Sequence, residues 1–215
     1  MIFQDRYDAG RRLAEALEQY RDEDPVILGL PRGGVVVGYE IARALAAPLD
    51  VLVVRKLGAP GAEEFAIGAI APGATLLNRE LVAGLRVPQQ YLDRIVARET
   101  QELTRRERVY RGARQPIGVE GRTVILVDDG LATGATAHAA IESLRRRSPK
   151  KIVFAAPVCS AEGARSLEKV ADGVVCLECP ASFGAVGYWY TEFSPTTDAE
   201  VIKCLLATEP GRVPA

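Results

Sequence analysis

The sequence of 215 residues is poor in histidine and has no excess of charge of either sign. It contains a single histidine and 27 basic against 28 acidic residues, which gives a formal net charge of −1. Such a balance provides no overall basic footprint for holding nucleic acid non-specifically, and it leaves no acidic tail. Binding that depends on net charge is therefore excluded, and any charge that recognises a ligand must be local.

Long hydrophobic runs are also missing. No apolar stretch reaches the roughly 20 residues that cross a bilayer, and the opening sequence MIFQDR lacks the basic-then-apolar order of a signal peptide. We therefore expect a soluble, cytoplasmic protein with no membrane partner. At about 150 residues per domain, the length is typical of one domain that carries a substantial insertion.

Cysteine is sparse, and the four cysteines lie in the last third of the chain. Cys176 and Cys179 have the C-x-x-C spacing of half a zinc site or of a redox pair. A tetrahedral zinc site needs two further ligands, and the single histidine, His138, belongs to a different segment. We favour reduced cysteines at the end of a buried strand, with no metal site, and we place His138 on a helix surface.

Short apolar strands alternate with helices over most of the chain. The predicted strands are Val26–Leu28, Leu49–Val54, Thr123–Val127, Lys151–Pro157 and Gly173–Leu177, and the predicted helices are Asp5 to about Arg21, Val35–Ala46, Thr136–Arg147 and Ala161–Val170. This alternation predicts an α/β fold with a parallel twisted sheet of five strands and helices on both faces. Ligands of such sheets bind beyond the carboxyl ends of the strands, which here are followed by the loops 31–34, 55–64 and 128–135.

The alternation is interrupted between about residues 58 and 121. This stretch holds short apolar runs at 65–70 and 75–77 and one long helix, predicted over 88–110, whose arginines alternate with acids. Because the acids nearly cancel the bases, we interpret this helix as a solvated helix on the domain edge rather than as a nucleic-acid arm. The chain is thus predicted as a single domain, with its core at about 25–57 and 122–178 and a helical insertion at about 58–121.

The most informative segment is VILVDDGLATGAT, which runs from Val124 to Thr136. It predicts a buried strand that ends in two carboxylates, Asp128 and Asp129, and then a loop of small residues that opens a helix. Backbone amides at a helix start, together with threonine hydroxyls, bind anions, whereas paired carboxylates suit a polyol. An anion site next to a hydroxyl site is typical of a sugar phosphate.

Other phosphate-handling motifs fail on particular residues. Gly29 and Gly34 have the separation of a P-loop, but Val35 and Val36 occupy the places of its lysine and its serine or threonine. The Rossmann spacing G-x-G-x-x-G is absent from all three loops. The two acids are adjacent and are followed by Gly130, which excludes the aspartate-x-aspartate motif of haloacid-type phosphatases.

The segment resembles the phosphoribosyl-diphosphate signature of the type I phosphoribosyltransferases: four apolar residues, two acids, and a small-residue loop with T-G-x-T. The resemblance extends over roughly 26–192. It implies that Asp128 and Asp129 hold the ribose 2- and 3-hydroxyls of 5-phosphoribosyl-1-diphosphate (PRPP). The residues that it implies for the 5-phosphate are Ala132, Thr133, Gly134, Ala135 and Thr136.

Two other loops resemble the diphosphate-binding parts of this family. Within LPRGG, Arg32 and Gly33 match the pair in the family's diphosphate loop, where a strained and sometimes cis peptide presents amides to the ligand and glycine permits close approach. Arg55 and Lys56 match an Arg-Lys pair of the orotate and adenine enzymes, so Lys56 is expected to meet the diphosphate and to complete a catalytic set with the aspartates; a surface lysine is the competing interpretation. Residues 58–64 occupy the place of the family's mobile catalytic loop. Mg²⁺ is expected to bind chiefly through PRPP, with no protein metal cage.

The acceptor end is less defined. The segment CPASFGAVGY resembles the hood of hypoxanthine-guanine phosphoribosyltransferases, predicted here at about 179–195 with the N-terminal segment, and Phe183 matches the aromatic residue that stacks on the base. This chain has one extra residue between Phe183 and Gly187, and it has Ala132 where those enzymes place an aspartate, so no general base is available there. Glu192 is a candidate carboxylate near the acceptor. The residues interpreted as hood core are Tyr188, Trp189, Tyr190 and Phe193.

Two functions are compatible with the resemblance. The first is an enzyme that transfers the 5-phosphoribosyl group from PRPP to a nitrogen nucleophile, a nucleobase or related amine, with release of diphosphate. The alternative is a regulatory module of the same fold that senses PRPP or a nucleotide without turnover. The neutral charge argues against nucleic acid as its partner, but a local basic surface on the insertion helix leaves that partner open. Its arginines are Arg94, Arg98, Arg105, Arg106, Arg108 and Arg111. The resemblance also implies a homodimer.

Overall fold

Eight strands and seven α-helices make up the part of the chain that the computed structural model describes, which is residues 2–208 except for the side chain of Glu64. The strands are β1 (Pro25–Gly29), β2 (Leu49–Val51), β3 (Arg55–Ala59), β4 (Ala62–Ala71), β5 (Ala74–Leu77), β6 (Thr123–Val127), β7 (Lys151–Val158) and β8 (Gly173–Glu178). The helices are α1 (Arg6–Ala16), α2 (Gly33–Leu45), α3 (Arg79–Gly84), α4 (Gln89–Arg111), α5 (Ala135–Arg145), α6 (Ala161–Leu167) and α7 (Asp198–Ala207). Short 3₁₀ helices lie at Glu18–Glu23 and Val186–Trp189.

Five parallel strands form the central sheet, in the order β2-β1-β6-β7-β8. Alternate residues of a strand point to opposite faces. In β6, Ile125 and Val127 pack in a core with α1, α2 and α7, whereas Val124 and Leu126 pack in a second core with α5 and α6. The predicted α/β fold, with a parallel sheet covered on both faces, is confirmed.

The insertion contains a small sheet in addition to the predicted long helix. Strands β3, β4 and β5 form a second, antiparallel sheet, in which Arg55 pairs with Ile70 and Ile70 with Thr75. The predicted second strand at 49–54 is accordingly shorter, since only 49–51 pair in the central sheet. The extra sheet escapes prediction because its strands are rich in alanine and glycine, which are weak strand formers.

Residues 58–64, for which the sequence resemblance implies a mobile catalytic loop, form the tip of the hairpin between β3 and β4. Gly61 takes a φ of +73° in the turn, a conformation that glycine adopts without strain. Gly58 lies so close to the opposite strand that a Cβ on it would fall 2.3 Å from the carbonyl oxygen of Glu63. These glycines therefore shape the hairpin, whose strand register shifts on both sides of Gly58.

The long helix α4 is anchored more firmly than a solvated edge helix. Leu92, Ile95 and Leu103 are buried on its inner face. At its C-terminal end Arg111 Nε donates to Asp50 Oδ1 over 2.9 Å, and both side chains are less than a tenth exposed. Because removing one partner would leave a buried charge, this pair ties α4 to the edge strand β2.

The N-terminal segment packs against the chain that precedes α7. The Phe3 amide donates to the Trp189 carbonyl oxygen over 2.8 Å, and the Thr191 amide donates back to the Phe3 carbonyl oxygen over 2.8 Å. Helix α7 itself was not predicted; it begins after Thr197, whose hydroxyl accepts from the Glu200 amide. None of the helices in residues 2–208 has both the length and the apolar character of a membrane span.

Candidate functional site

The loops after β1 and β6 meet at the carboxyl edge of the parallel sheet. The Leu30 amide donates to the Val127 carbonyl oxygen over 2.8 Å. A Cβ on Gly34 would fall 2.4 Å from that same oxygen, so the contact between the loops requires glycine. The cis peptide of the first loop joins Pro31 and Arg32, one position before the pair that the sequence singles out.

The two carboxylates at the end of β6 lie in different environments. The Asp129 amide donates to Asp128 Oδ1 over 2.9 Å. Burial, and next to it the charge of Asp129, raise the pKa of Asp128 well above its usual range. Asp129 Oδ2 accepts from Arg6 Nε over 2.7 Å, and a Cβ on Gly33 would lie 1.9 Å from Oδ2. Arg6 thus bonds to Asp129 and not to Asp128, and the loop after β1 contacts Asp129 through Gly33.

A cleft of about 180 Å³ joins this acidic pair to the loop that opens α5. Gly134 caps α5 with a φ of +79°, and helix starts of this kind leave backbone amides without intrahelical partners. The cleft is lined by Lys56, Asp128, Gly130, Leu131, Ala132, Thr133, Gly134, Ala135, Thr136 and Ala137. The structure thus brings all five predicted phosphate-binding residues, one aspartate and Lys56 into a single cavity.

The loop that opens α5 is supported by the start of α6. The Ser160 hydroxyl donates to the Ala132 carbonyl oxygen, and the Ser160 amide donates to the Leu131 carbonyl oxygen over 2.7 Å. A Cβ on Gly163 would fall 2.5 Å from the Ala132 oxygen. The loop therefore has a rigid support that its own sequence does not indicate.

The three predicted diphosphate cations are not equivalent. Lys56 is exposed and lines the cleft, and no ion pair to it is found among residues 2–208. Arg55 instead bonds to Glu99 on α4, with Nη2 2.7 Å from Oε2, and the Glu99 side chain is only 7% exposed. Arg32 is 48% exposed and lies 4.0 Å from Asp198 Oδ1. The arrangement makes the charge of Lys56 available to a ligand and commits that of Arg55 to the protein.

The hood residue that contacts the loop after the acidic pair is Val186, which the sequence does not single out. A Cβ on Gly130 would fall 2.3 Å from Val186 Cγ1, so Val186 covers the loop after the acidic pair. Phe183 is half-buried, and its carbonyl oxygen accepts from Trp189 Nε1 over 3.0 Å. Tyr190 stacks on Phe193 with ring centroids 4.9 Å apart, as expected for hood core packing. Tyr188 is 76% exposed, so the same interpretation is wrong for that residue. The proposed stacking role of Phe183 stays a prediction.

Metal-binding chemistry is sparse around the site. Among residues 2–208 no group of three or more His, Cys, Asp and Glu side chains is arranged to hold a metal. The pair itself offers two carboxylates, of which Asp129 is engaged by Arg6. This donor set suits an ion such as Mg²⁺ that keeps most of its ligands from substrate oxygens and water.

The cysteines and the histidine have structural partners. Cys176 Sγ donates to the Glu178 carbonyl oxygen, 3.0 Å away, and Cys159 and Cys176 hydrogen-bond to each other through their thiols. The hydrogen bond to Cys176, followed by burial, raises the pKa of the Cys159 thiol. All four thiols are free. His138 Nε2 lies 2.8 Å from Ser166 Oγ, between α5 and α6 and away from the cleft lining.

Local sequence patterns do not reveal Arg6 or Tyr190. Both hydrogen-bond to Asp129, and both lie outside the segment from Val124 to Thr136. The Tyr190 hydroxyl donates to the Asp129 carbonyl oxygen, and Arg6 lies 123 positions before Asp129. Both come from the N-terminal segment and the hood, which meet only in the folded chain. The only sequence signal that points to these two contacts is the prediction that the hood packs with the N-terminal segment.

The fold and the cleft define a class of protein. The family model described as the phosphoribosyl transferase domain matches residues 2–191, and the chain belongs to this family. The resemblance drawn from the signature is thereby confirmed.

Individual relatives support the same assignment. A Mycobacterium tuberculosis protein named "Putative phosphoribosyl transferase Rv0571c" is 45% identical over 205 residues, which is 95% of this chain and 46% of that protein. The chain therefore spans about half the length of the curated relatives that it matches first. The crystal structure of TT1426 from Thermus thermophilus is 45% identical, superposes with a TM-score of 0.85, and covers 98% of this chain and 100% of its own. The "Bifunctional protein PyrR" of Deinococcus radiodurans is 32% identical over 120 residues, 53% of this chain and 64% of that protein.

Proposed function

We propose that this chain transfers the 5-phosphoribosyl group from PRPP to a nitrogen nucleophile, a nucleobase or related amine, and releases diphosphate. The observation that carries the proposal is the single cleft shared by Asp128, the 132–136 loop and Lys56. It places an acidic, an anion-binding and a cationic surface side by side, as a sugar that carries a 5-phosphate and a 1-diphosphate requires. Membership of the family supports the type of reaction.

In the proposed complex, the protein binds the sugar at its 5-phosphate and at its ribose hydroxyls. The 5-phosphate lies at the start of α5, where the free amides and the hydroxyls of Thr133 and Thr136 donate hydrogen bonds. Asp128 and Asp129 accept hydrogen bonds from the ribose hydroxyls. Two anchor points fix the ring, so the reactive carbon is oriented towards the acceptor before the reaction begins.

The leaving group lies between Lys56 and the loop amides of Arg32 and Gly33. The Lys56 ammonium is free to bond to the diphosphate because no carboxylate within residues 2–208 holds it. Mg²⁺, bound chiefly through PRPP oxygens, would neutralise the charge that the diphosphate gains on leaving. We assign Arg55 to the fold instead, since Glu99 already holds its guanidinium.

The reaction then needs little covalent participation by the protein. The acceptor nitrogen forms a bond to the ribose carbon, the carbon–oxygen bond to diphosphate breaks, and its electron pair leaves with the diphosphate. Ala132 supplies no base, so the proton of the acceptor nitrogen passes to the diphosphate or to solvent. We propose that the hairpin tip at 58–64 and the hood exclude water, with Phe183 stacking on the acceptor.

Four of the six arginines of α4 are already paired with acids, which argues against a nucleic-acid partner. Arg98 bonds to Glu99, Arg105 and Arg106 bond to one shared acid on the same helix, and Arg111 is buried against β2. Charges that are already paired contribute little to phosphate binding. The expected partners are therefore PRPP and a small nitrogenous acceptor; the homodimer and the cytoplasmic location stay predictions.

Titration calorimetry with PRPP and Mg²⁺ tests donor binding. Wild type should bind, and the double variant Asp128→Asn/Asp129→Asn should lose at least about 100-fold in affinity, because two charge-assisted hydrogen bonds are removed. Asp22→Asn is the matched control: the same change at an exposed aspartate, before β1 and so near the opposite edge of the sheet, should bind as wild type does. A wild-type protein that binds no PRPP would contradict the proposed function.

Turnover is tested by measuring diphosphate release from PRPP over a panel of nucleobases, nucleosides and simple amines. At least one acceptor should give catalytic release that Lys56→Ala slows. PRPP binding with no release from any acceptor would contradict the enzyme and favour the sensing module. A salt-dependent mobility-shift assay with RNA and DNA then shows whether such a module binds nucleic acid.

A further inference from the structure

Arg6 reaches the acidic pair from the opposite end of the chain. It is the first residue of α1, and its Nε donates to Asp129 Oδ2 over 2.7 Å. Both side chains are largely withdrawn from water, with 11% of Arg6 and 18% of Asp129 exposed. An ion pair in such a place is screened less than one on the open surface.

Two contacts from the hood fix the direction of the guanidinium. Arg6 Nη1 donates to the Ser194 carbonyl oxygen over 2.8 Å, and Arg6 Cζ lies 4.0 Å from the centroid of the Phe193 ring. The planar guanidinium donates only in fixed directions, and a cation is attracted to the face of an aromatic ring. With Nη1 and the ring face both occupied, Nε is directed at Asp129.

Asp129 is confined from its other sides. Gly33 packs against the Asp129 carboxylate so closely that a Cβ on it would lie 1.9 Å from Oδ2. The Tyr190 hydroxyl donates a hydrogen bond to the backbone carbonyl oxygen of Asp129. Besides Arg6, the side chain that hydrogen-bonds to the Asp129 carboxylate in the described part of the chain is that of Asp128. Arg6 therefore holds one carboxylate oxygen and leaves the other as an acceptor.

We propose that Arg6 is a positioning residue for the ribose site. By holding Oδ2 it presents Oδ1 of Asp129 to a ribose hydroxyl, and it makes that arrangement depend on the docking of the hood through Ser194 and Phe193. This inference rests on the proposed function. Without Arg6 the carboxylate would lose the bond that fixes Oδ2, and each PRPP molecule that binds would have to orient it.

A purely structural ion pair would behave differently. If Arg6 only fastened α1 to the hood, its loss would lower stability and weaken every ligand of the site alike. A positioning role is selective, because inorganic diphosphate uses the cationic corner and has no ribose to place against Asp129. The comparison of PRPP with diphosphate therefore separates the two roles.

The experiment is calorimetry of Mg²⁺-PRPP and of Mg²⁺-diphosphate with wild type, Arg6→Ala, Arg6→Lys and Arg12→Ala, each with a thermal melt. Arg12 is the matched control, since it lies on the same helix, pairs with Asp8 over 3.0 Å and lies 5.7 Å from the Phe3 ring. Arg6→Ala should weaken PRPP by about 10- to 100-fold, as loss of an orienting partner commonly does. Diphosphate affinity should change less than about 3-fold, well under the 1.4 kcal/mol of a tenfold change.

Arg6→Lys keeps the charge but loses the fixed fork, so its PRPP affinity should lie between those of wild type and the alanine variant, while Arg12→Ala matches wild type. Should Arg6→Ala fail to fold, Arg6→Lys carries the same comparison. Equal loss of PRPP and diphosphate, or wild-type PRPP affinity in both Arg6 variants, overturns the positioning role and leaves the proposed function standing. A wild type that binds neither ligand overturns the proposed function, and the role of Arg6 falls with it.

Discussion

Replacing Asp128 by asparagine is expected to stabilise the protein while it weakens donor binding. Burial, followed by the charge of Asp129, raises the pKa of Asp128, so its ionised form is disfavoured in the folded state. Asparagine keeps the shape and keeps an oxygen for the Asp129 amide, which now donates over 2.9 Å. The substitution therefore removes the unfavourable charge and leaves the hydrogen bond.

The pH dependence has a definite sign. A carboxyl group whose pKa is higher in the folded than in the unfolded state binds its proton more tightly when folded. The contribution of Asp128 to stability is thus fully present below its unfolded pKa, about 3.9, and is lost as pH rises through its raised folded pKa. Asparagine does not titrate, so the advantage of Asp128→Asn should grow with pH over that window.

Relief of a half-buried charge that lies beside a second carboxylate contributes about 1–2 kcal/mol, and a chain of this size gains about 2–4 °C per kcal/mol. Asp128→Asn should therefore raise Tm by about 2–8 °C at about pH 7.5, and by much less near pH 4. Asp129→Asn should instead lower the stability by about 3 kcal/mol, because it leaves the largely buried Arg6 without its counter-charge. Thermal melts of the three proteins from about pH 4 to 8 provide the measurement. A lower Tm for Asp128→Asn at about pH 7.5, or a gain that does not vary with pH, would refute the reasoning.

Three further predictions concern the cations and the loops. Arg55→Ala should lower the free energy of unfolding by about 1.5–3 kcal/mol, because the buried Glu99 loses its shorter ion pair and keeps only the one to the exposed Arg98, whereas Lys56→Ala should keep its Tm but weaken Mg²⁺-diphosphate about tenfold in calorimetry; the reverse pattern would exchange their roles. Gly33→Ala should keep its circular dichroism spectrum but lose PRPP binding, since its Cβ would displace the Asp129 carboxylate; normal affinity would contradict this contact. Arg111→Ala should cost about 3–5 kcal/mol in urea unfolding, as its partner Asp50 stays buried; a loss below about 1 kcal/mol would show that the pair contributes little.

The part of the site that could be predicted from the sequence is the part made of neighbours in the chain. In the segment from Val124 to Thr136, the apolar run forms β6, the acids follow at its end, and Gly134 supplies the left-handed cap of α5. All of these depend on local preferences, which a short motif contains in full. The parallel sheet was predictable for a similar reason, because alternating strands and helices leave few other arrangements.

The parts that escaped prediction depend on contacts between distant segments. Arg6 meets Asp129 across 123 positions, and Arg55 meets Glu99 across 44. The sheet of β3, β4 and β5 is formed by alanine- and glycine-rich strands, whose stability comes from packing against α4 and α5 more than from strand preference. No periodicity in the sequence records which side chains such packing brings together.

The adjacent residues Arg55 and Lys56 show why counting charges along the chain assigns ligand contacts poorly. Both are basic, and both lie at the start of β3. For Arg55 to reach a diphosphate, Glu99, which is 7% exposed, would have to give up its shorter ion pair and keep only the one to Arg98, at a cost of about 1.5–3 kcal/mol. Lys56 is exposed and holds no carboxylate in the described chain, so its bond to a ligand carries no such penalty. Of two equal charges in the sequence, only the one without a buried partner is free to bind the donor.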